Sequence, residues 1–76
     1  MSEKERKETA RFYIKSQLKD MLRFAKRGRE WLFNSDYDEL LGMVRYMESV
    51  GDITKEAGTK VMKLAQLLRR KYGILR

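Results

Sequence analysis

Five basic side chains recur at every fourth position in the first half of this sequence: Arg11, Lys15, Lys19, Arg23 and Arg27. Four residues of an α-helix turn through about 400°, so each side chain in such a series is rotated by about 40° from the one before it. We term this spiral row the basic ridge, and its cations could neutralise successive phosphates of a nucleic acid. Two other interpretations stay open. The row could be an ordinary solvent-facing surface, since lysine and arginine are good helix formers, or it could pair with an acidic helix of the same or a second chain.

Basic residues also collect next to the ridge and near the C-terminus. Residues 11–29 hold seven basic and one acidic side chain, and residues 57–76 hold six basic and none acidic, whereas residues 30–56 hold two basic and seven acidic. The net charge of +7 predicts an anionic partner. The cluster of basic residues near the C-terminus has a second explanation besides binding, because cations in the last turn of a helix interact favourably with the helix dipole. That cluster, the C-terminal basic patch, consists of Lys60, Lys63, Arg69, Arg70, Lys71 and Arg76. The predicted phosphate contacts beyond the ridge are Lys26, Arg29, Lys63, Arg69, Arg70 and Lys71.

Aromatic residues lie close to the basic ones. Trp31 follows Arg29 by two residues, and either Trp31 or Tyr13 could stack on a base. Phe24 and Tyr46, with Trp31, are candidate anchors of a protein interface. The favoured interpretation is that Leu32 and one of Trp31 or Phe33 pack under the connection between the first two helices, with Trp31 the preferred ring. The alternative is that Trp31 lies outside and stacks on a base.

The residue types needed for most catalytic and metal chemistry are missing. The chain has no histidine and no cysteine, which removes the commonest general base at neutral pH and the usual soft metal ligands. The acidic cluster Asp36, Asp38 and Glu39 fits the first turn of a helix and lacks the loop spacing of a calcium site. We therefore expect no enzyme activity, no cofactor and no metal.

Composition and periodicity predict one all-α domain over residues 1–76, a small three-helix bundle. There is no proline, and apolar residues recur with helical spacing. Helix 1, long and basic, is predicted at about 3–33, because Leu32 continues the apolar phase past Gly28. Helix 2 is predicted at about 36–50, with a capping box at Ser35 or Asp36, and helix 3 at about 54–72, capped by Asp52 or Thr54.

The connections and the faces of these helices predict how they pack. A short link containing Gly51 predicts that helices 2 and 3 form an antiparallel hairpin. Ile74 and Leu75 are expected to belong to a short tail after Gly73. The thin single-chain core and the surplus aromatics on helix 1 favour a homodimer. The predicted core residues are Ala10, Ile14, Leu18, Met21, Leu22 and Ala25 on helix 1; Tyr37, Leu40, Met43, Val44, Met47 and Val50 on helix 2; and Ala57, Val61, Leu64, Ala65, Leu68 and Tyr72 on helix 3.

These patterns predict a small accessory protein that binds nucleic acid with low sequence specificity. The alternative is a protein-interaction module, such as an inhibitor or adaptor encoded by a bacteriophage or mobile element, which binds a larger enzyme or nucleoprotein complex through its charged faces. In size and composition the chain resembles small accessory proteins of bacteriophages and mobile elements, although it contains no diagnostic motif. A helix-turn-helix over residues 36–72 fits less well, since its first helix would be acidic. With no apolar run near the roughly 18 residues of a membrane span, we expect a cytoplasmic protein without a membrane partner.

Overall fold

The computed structural model describes residues 2–75, which form three α-helices. The helices are α1 (Glu3–Lys26), α2 (Glu30–Ser49) and α3 (Lys55–Lys71), and the described part of the chain contains no strand. The prediction of an all-α three-helix bundle whose first helix is the longest is therefore confirmed.

Consecutive helices run antiparallel, so α1 and α3 point the same way. Gln17 near the middle of α1 donates to the backbone oxygen of Asp36 at 3.1 Å, and Arg6 near its start pairs with Asp52 beyond the end of α2 at 3.0 Å. In the predicted hairpin of α2 and α3, Gly58 approaches Val44 and Glu48 so closely that a Cβ at position 58 would collide with the Glu48 carboxyl. Packing is more extensive between α1 and α2 than between either helix and α3, which leaves a groove beside α3.

The core lies where the periodicity predicted it for most of α1 and α2. Phe33, Tyr37, Leu40 and Val44 follow one another at steps of three and four residues and form the inner face of α2. Phe33 was predicted only as the alternative to Trp31 for burial under the connection, and not as part of the helix 2 core face. Two predicted core residues are exposed instead, Val50 at 38% and Leu64 at 52%. The buried apolar residues are Ala10, Ile14, Met21, Ala25, Phe33, Tyr37, Leu40, Val44, Met47, Ala65 and Ile74.

The predicted extension of helix 1 to residue 33 is wrong, because Gly28 ends it. Gly28 has φ +70, a left-handed conformation that glycine adopts without steric cost. Its N–H donates to Ala25 O at 3.2 Å, and the N–H of Arg29 donates to Phe24 O at 2.9 Å. These two bonds define a Schellman motif. The apolar phase from Ala25 to Leu32 continues only by coincidence across a turn that redirects the chain.

The predicted start of helix 2 at about residue 36, with a cap at Ser35 or Asp36, is also wrong, because both residues lie inside α2. The helix already begins at Glu30, and its N-cap, Arg29, makes no side-chain capping bond. By contrast, the predicted cap of helix 3 is confirmed, since Thr54 accepts a hydrogen bond from Ala57 N at 3.0 Å. This bond satisfies one of the backbone donors that a helix start leaves unpaired.

After α3 the chain turns back onto the bundle at Ile74, so Ile74 does not belong to a free tail. Gly73 has φ +63 and turns the chain after α3, so that Ile74 is 5% exposed in the main core cluster. The backbone oxygen of Leu75 accepts a hydrogen bond from Asn34 Nδ2 at 3.0 Å. These contacts tie the C-terminal segment to the first turns of α2. Arg76, a predicted member of the C-terminal basic patch, lies outside the described residues.

Candidate nucleic-acid interface

The basic ridge is exposed along its whole length. All five of its side chains, from Arg11 to Arg27, lie on the solvent side of α1 and the turn that follows. Within residues 2–75, one of the five takes part in an ion pair, Arg23 with Asp20 at 2.9 Å. From Arg11 to Arg27 the ridge rises roughly 24 Å at the helical repeat. The arrangement offers a row of cations whose charge the protein leaves mostly uncompensated.

The ridge continues into the turn between α1 and α2. Lys26 and Arg29 are both exposed, and the turn itself is fixed by Gly28. Four cations therefore lie within seven residues of one another: Arg23, Lys26, Arg27 and Arg29. A concentration of positive charge of this kind attracts a polyanion more strongly than the same charges scattered over the surface.

Trp31 lies outside the core, and the favoured prediction that it is buried is wrong. Its side chain is 79% exposed, whereas Phe33 is fully buried. The physical reason is the early start of α2. Once position 30 is helical, Phe33 falls in phase with Tyr37 and Leu40, and Trp31 points about 160° away from Phe33. The largest ring of the protein thus stands in solvent, two residues after Arg29.

The other predicted aromatic contacts divide into exposed and packed rings. Tyr13 and Tyr46 are exposed, and Tyr13 makes an edge-on contact with the exposed ring of Phe12 at 5.8 Å between centroids. Phe24 is half-buried against the main core cluster, and the Arg23 guanidinium lies 5.5 Å from its ring centre. Phe24 therefore supports the bundle, while the two tyrosines present free surface.

The C-terminal basic patch is divided between the surface and the interior. Lys63, Arg70 and Lys71 are exposed. Arg69 is instead half-buried, with its guanidinium carbon 3.8 Å from the Tyr37 ring centre. Its Nη2 also donates to Asn34 Oδ1 at 3.1 Å. We assign Arg69 to the fold, and sequence periodicity gave no signal for this role.

Carboxylates gather on the seam between α1 and α2. Burial raises the pKa of Asp36 above its ordinary value of 3.8, and the nearby carboxylates of Glu39 and Asp20 raise it further, while Arg23 lowers it. Glu39 also accepts a hydrogen bond from Gln17 Nε2 at 3.3 Å. This acidic seam would repel a polyanion, so it limits the binding surface to the part of α1 away from α2.

Sequence reasoning missed an apolar groove between α1 and α3. Leu18 of α1 and Leu64 of α3 line both of its adjoining halves. Leu64 and Leu67 are 52% and 56% exposed there. The sequence did contain an indication of this groove. Helix 3 is apolar at positions 64, 65, 67 and 68, which is a broader apolar face than packing into a single core requires.

Residues 2–75 contain no group of three or more acidic side chains placed to hold a metal ion. No described helix is long and apolar enough to cross a membrane. No protein-family model, curated protein or solved structure matches this chain.

Proposed function

We propose that this chain is a small, non-enzymatic nucleic-acid-binding protein of the cytoplasm, with little sequence specificity. The single observation that carries the proposal is the exposed, mostly unpaired basic ridge of α1, which continues through Lys26 and Arg29 to an exposed Trp31. The ridge cations contact phosphates, and the indole ring stacks on an unpaired base. Lys63, Arg70 and Lys71 provide a second set of phosphate contacts.

Low specificity follows from the types of side chain on this surface. Lysine and arginine contacts to phosphates fix position and carry no sequence information. Stacking on Trp31 also tolerates any base, because every base has a π-face. Nucleic acids that expose unpaired bases should therefore bind more tightly than a plain duplex, since a duplex can use only the cations.

Two double substitutions with the same change in net charge test the proposal. Arg23→Gln/Arg27→Gln removes two ridge cations, while Arg45→Gln/Lys55→Gln removes the two basic side chains of residues 30–56. Labelled single-stranded DNA and RNA are titrated with each variant and followed by fluorescence anisotropy. We expect the ridge variant to lose at least tenfold in affinity and the control to change less than threefold. Equal losses from both variants would show that only the net charge matters and would contradict a ridge-specific interface.

Self-association is a further part of the proposal. Phe12, Tyr13 and Tyr46 leave large exposed rings on α1 and α2, and exposed aromatics are enriched at protein interfaces. We expect a homodimer joined through these rings. Sedimentation equilibrium should give twice the chain mass for the wild type and the monomer mass for Tyr13→Ser/Tyr46→Ser. A wild-type monomer at about 100 μM would contradict this part of the proposal.

The apolar groove favours a second candidate function, a protein-interaction module. A small protein rarely leaves a continuous leucine-lined groove open to solvent without a partner. The corresponding test is affinity capture of the tagged chain after nuclease treatment. A stoichiometric protein complex that survives the nuclease supports the module, and loss of all partners on nuclease treatment contradicts it.

A further inference from the structure

The groove between α1 and α3 is apolar at its floor and continuous along most of α3. Its larger half has a volume of about 420 Å³ and extends along α3 from Ala57 to Leu64. The second half continues from Leu64 past Leu67 to Lys71. The distance from Ala57 to Lys71 is roughly 21 Å of helix, about four turns. This length matches one helix laid into the groove, the arrangement in which amphipathic helices dock with anchors at i, i+3, i+4 and i+7.

The rim of the groove is basic. Its lining includes Lys7, Arg11 and Lys15 beside the larger half, and Lys19 and Lys71 beside the smaller. The single carboxylate in the lining, Asp52, is already paired with Arg6 at 3.0 Å. The cations follow the α1 edge of the groove, and α3 adds only Lys71 at one end. An apolar centre with a basic α1 edge complements a ligand whose apolar stripe is bordered by carboxylates on the side that faces α1.

We propose that the groove binds an amphipathic helix of a partner protein, with apolar residues on its inner stripe and Asp or Glu on the flank that faces α1. The inner stripe contacts Ile14, Leu18, Leu64 and Leu67, and the flanking carboxylates face the lysine and arginine rim. This inference rests on the second candidate function, and it does not depend on nucleic-acid binding.

The geometry disfavours the other occupants. A second copy of the same groove would bring two rims of like charge together, which opposes association. A flat bilayer surface cannot reach the floor of a concave groove, where Ile14 is only 7% exposed. Nucleic acid would place its phosphates over leucine side chains, which offer no hydrogen-bond donor.

Two matched synthetic peptides serve as probes. Each has about 18 residues with the same leucine and isoleucine stripe at i, i+3, i+4 and i+7, and the flanks are glutamate in one peptide and lysine in the other. Each peptide is titrated into the ¹⁵N-labelled full chain, and the perturbed resonances are mapped. We expect the glutamate peptide to perturb Ile14, Leu18, Leu64 and Leu67 and to bind at least tenfold more tightly than the lysine peptide.

Arg11, Lys15 and Lys19 belong to both the basic ridge and the groove rim, so substitutions at residues that the two surfaces do not share distinguish them. Leu64→Gln/Leu67→Gln changes two exposed side chains without changing the charge. It should lower the affinity for the glutamate peptide at least tenfold and leave the affinity for DNA within twofold of the wild type. Arg23→Gln/Arg27→Gln lies outside the groove lining and should leave peptide binding within twofold.

Several outcomes would overturn the proposal. One is that no resonance is perturbed up to about 1 mM peptide, a concentration that corresponds to a binding free energy of roughly −4 kcal/mol. The others are equal binding of the two peptides and perturbation of a different surface. A dimer abolished by Leu64→Gln/Leu67→Gln would instead assign the groove to a second copy. Binding to anionic vesicles that this variant abolishes would assign it to a membrane. If the peptide fails while a nuclease-resistant protein complex forms, the groove assignment fails and the interaction module stands on another surface.

Discussion

The guanidinium carbon of Arg69 lies 3.8 Å from the ring centre of Tyr37, a cation–π contact between α3 and α2. The same guanidinium donates to Asn34 Oδ1 at 3.1 Å, and Asn34 in turn donates to Leu75 O. The Arg69 Nε atom is buried and has no hydrogen-bond partner among the described residues. A side chain that belongs by sequence to a basic surface patch thus links α3, α2 and the C-terminal segment.

Replacing Arg69 with alanine should lower the free energy of unfolding by about 2 kcal/mol. The loss combines a partly desolvated cation–π contact with a hydrogen bond to an amide. Arg70→Ala is the matched control, because Arg70 is exposed, and it should cost at most about 0.5 kcal/mol. Urea unfolding of both variants measures the difference. Equal stability of the two would contradict a structural role for Arg69.

The turn at Gly28 gives a second prediction. Gly28→Ala forces a residue with a Cβ into the left-handed region and should destabilise the protein by about 1 kcal/mol. Gly42→Ala is the opposite case, since Gly42 lies within α2 and an added Cβ would meet open space. It should stabilise by about 0.5–1 kcal/mol through helix propensity. Thermal unfolding should therefore shift in opposite directions for the two variants. A stabilising Gly28→Ala would mean that α1 does continue through the turn.

The raised pKa of Asp36 predicts a pH-dependent effect. The Asp36 carboxyl binds its proton more tightly in the folded state than in the unfolded state. Its ionised form therefore disfavours folding at pH values above the raised pKa. Asp36→Asn should therefore raise the free energy of unfolding at pH 7. The gain should shrink as the pH falls through the raised pKa and vanish below the ordinary value of 3.8.

Urea unfolding at pH 7 and at about pH 3.5, below the unfolded-state pKa, measures this effect. Glu8→Gln is the control, because it removes one exposed carboxylate and so makes the same change in net charge. It should give no gain at pH 7. An Asp36→Asn gain that is equal at both pH values would contradict the electrostatic explanation.

Trp31 and Phe33 should separate binding from stability. Phe33→Ala empties a fully buried position and should cost about 3–5 kcal/mol. Trp31→Ala removes an exposed ring and should change the stability by at most about 0.5 kcal/mol. The same Trp31→Ala substitution should weaken binding to single-stranded nucleic acid by about 1–3 kcal/mol. Urea unfolding and anisotropy titration provide the two measurements, and a large stability loss in Trp31→Ala would show that the ring has a packing role.

Periodicity predicted the helices and most of their inner faces, because each face repeats every three to four residues over several turns. It failed between α1 and α2, where Ala25 and Leu32 share a helical phase although Gly28 separates them into two helices. The same error led to the wrong prediction of which aromatic residue, Trp31 or Phe33, is buried. Had α2 been started at Glu30, the phase of Tyr37 and Leu40 would have indicated Phe33 as the core residue and Trp31 as the exposed one.

The surface features also differ in whether local sequence is sufficient to predict them. The exposure of the basic ridge followed from one helix, so local spacing was sufficient to predict it. The inward position of Arg69 depends on Tyr37 and Asn34, which are more than thirty residues away in sequence. The apolar groove depends on how far α3 lies from α1. Both are tertiary relationships, and no local pattern encodes them.

The most direct test of nucleic-acid binding is the salt dependence of affinity. Fluorescence anisotropy with labelled duplex DNA, single-stranded DNA and RNA is measured at about 50 and 200 mM salt. If six or more phosphates are neutralised, the affinity should fall by about 10³-fold or more over this range. The single strands should bind more tightly than the duplex. Weak binding to all three, or an affinity that does not change with salt, would contradict a phosphate-binding role for the basic ridge.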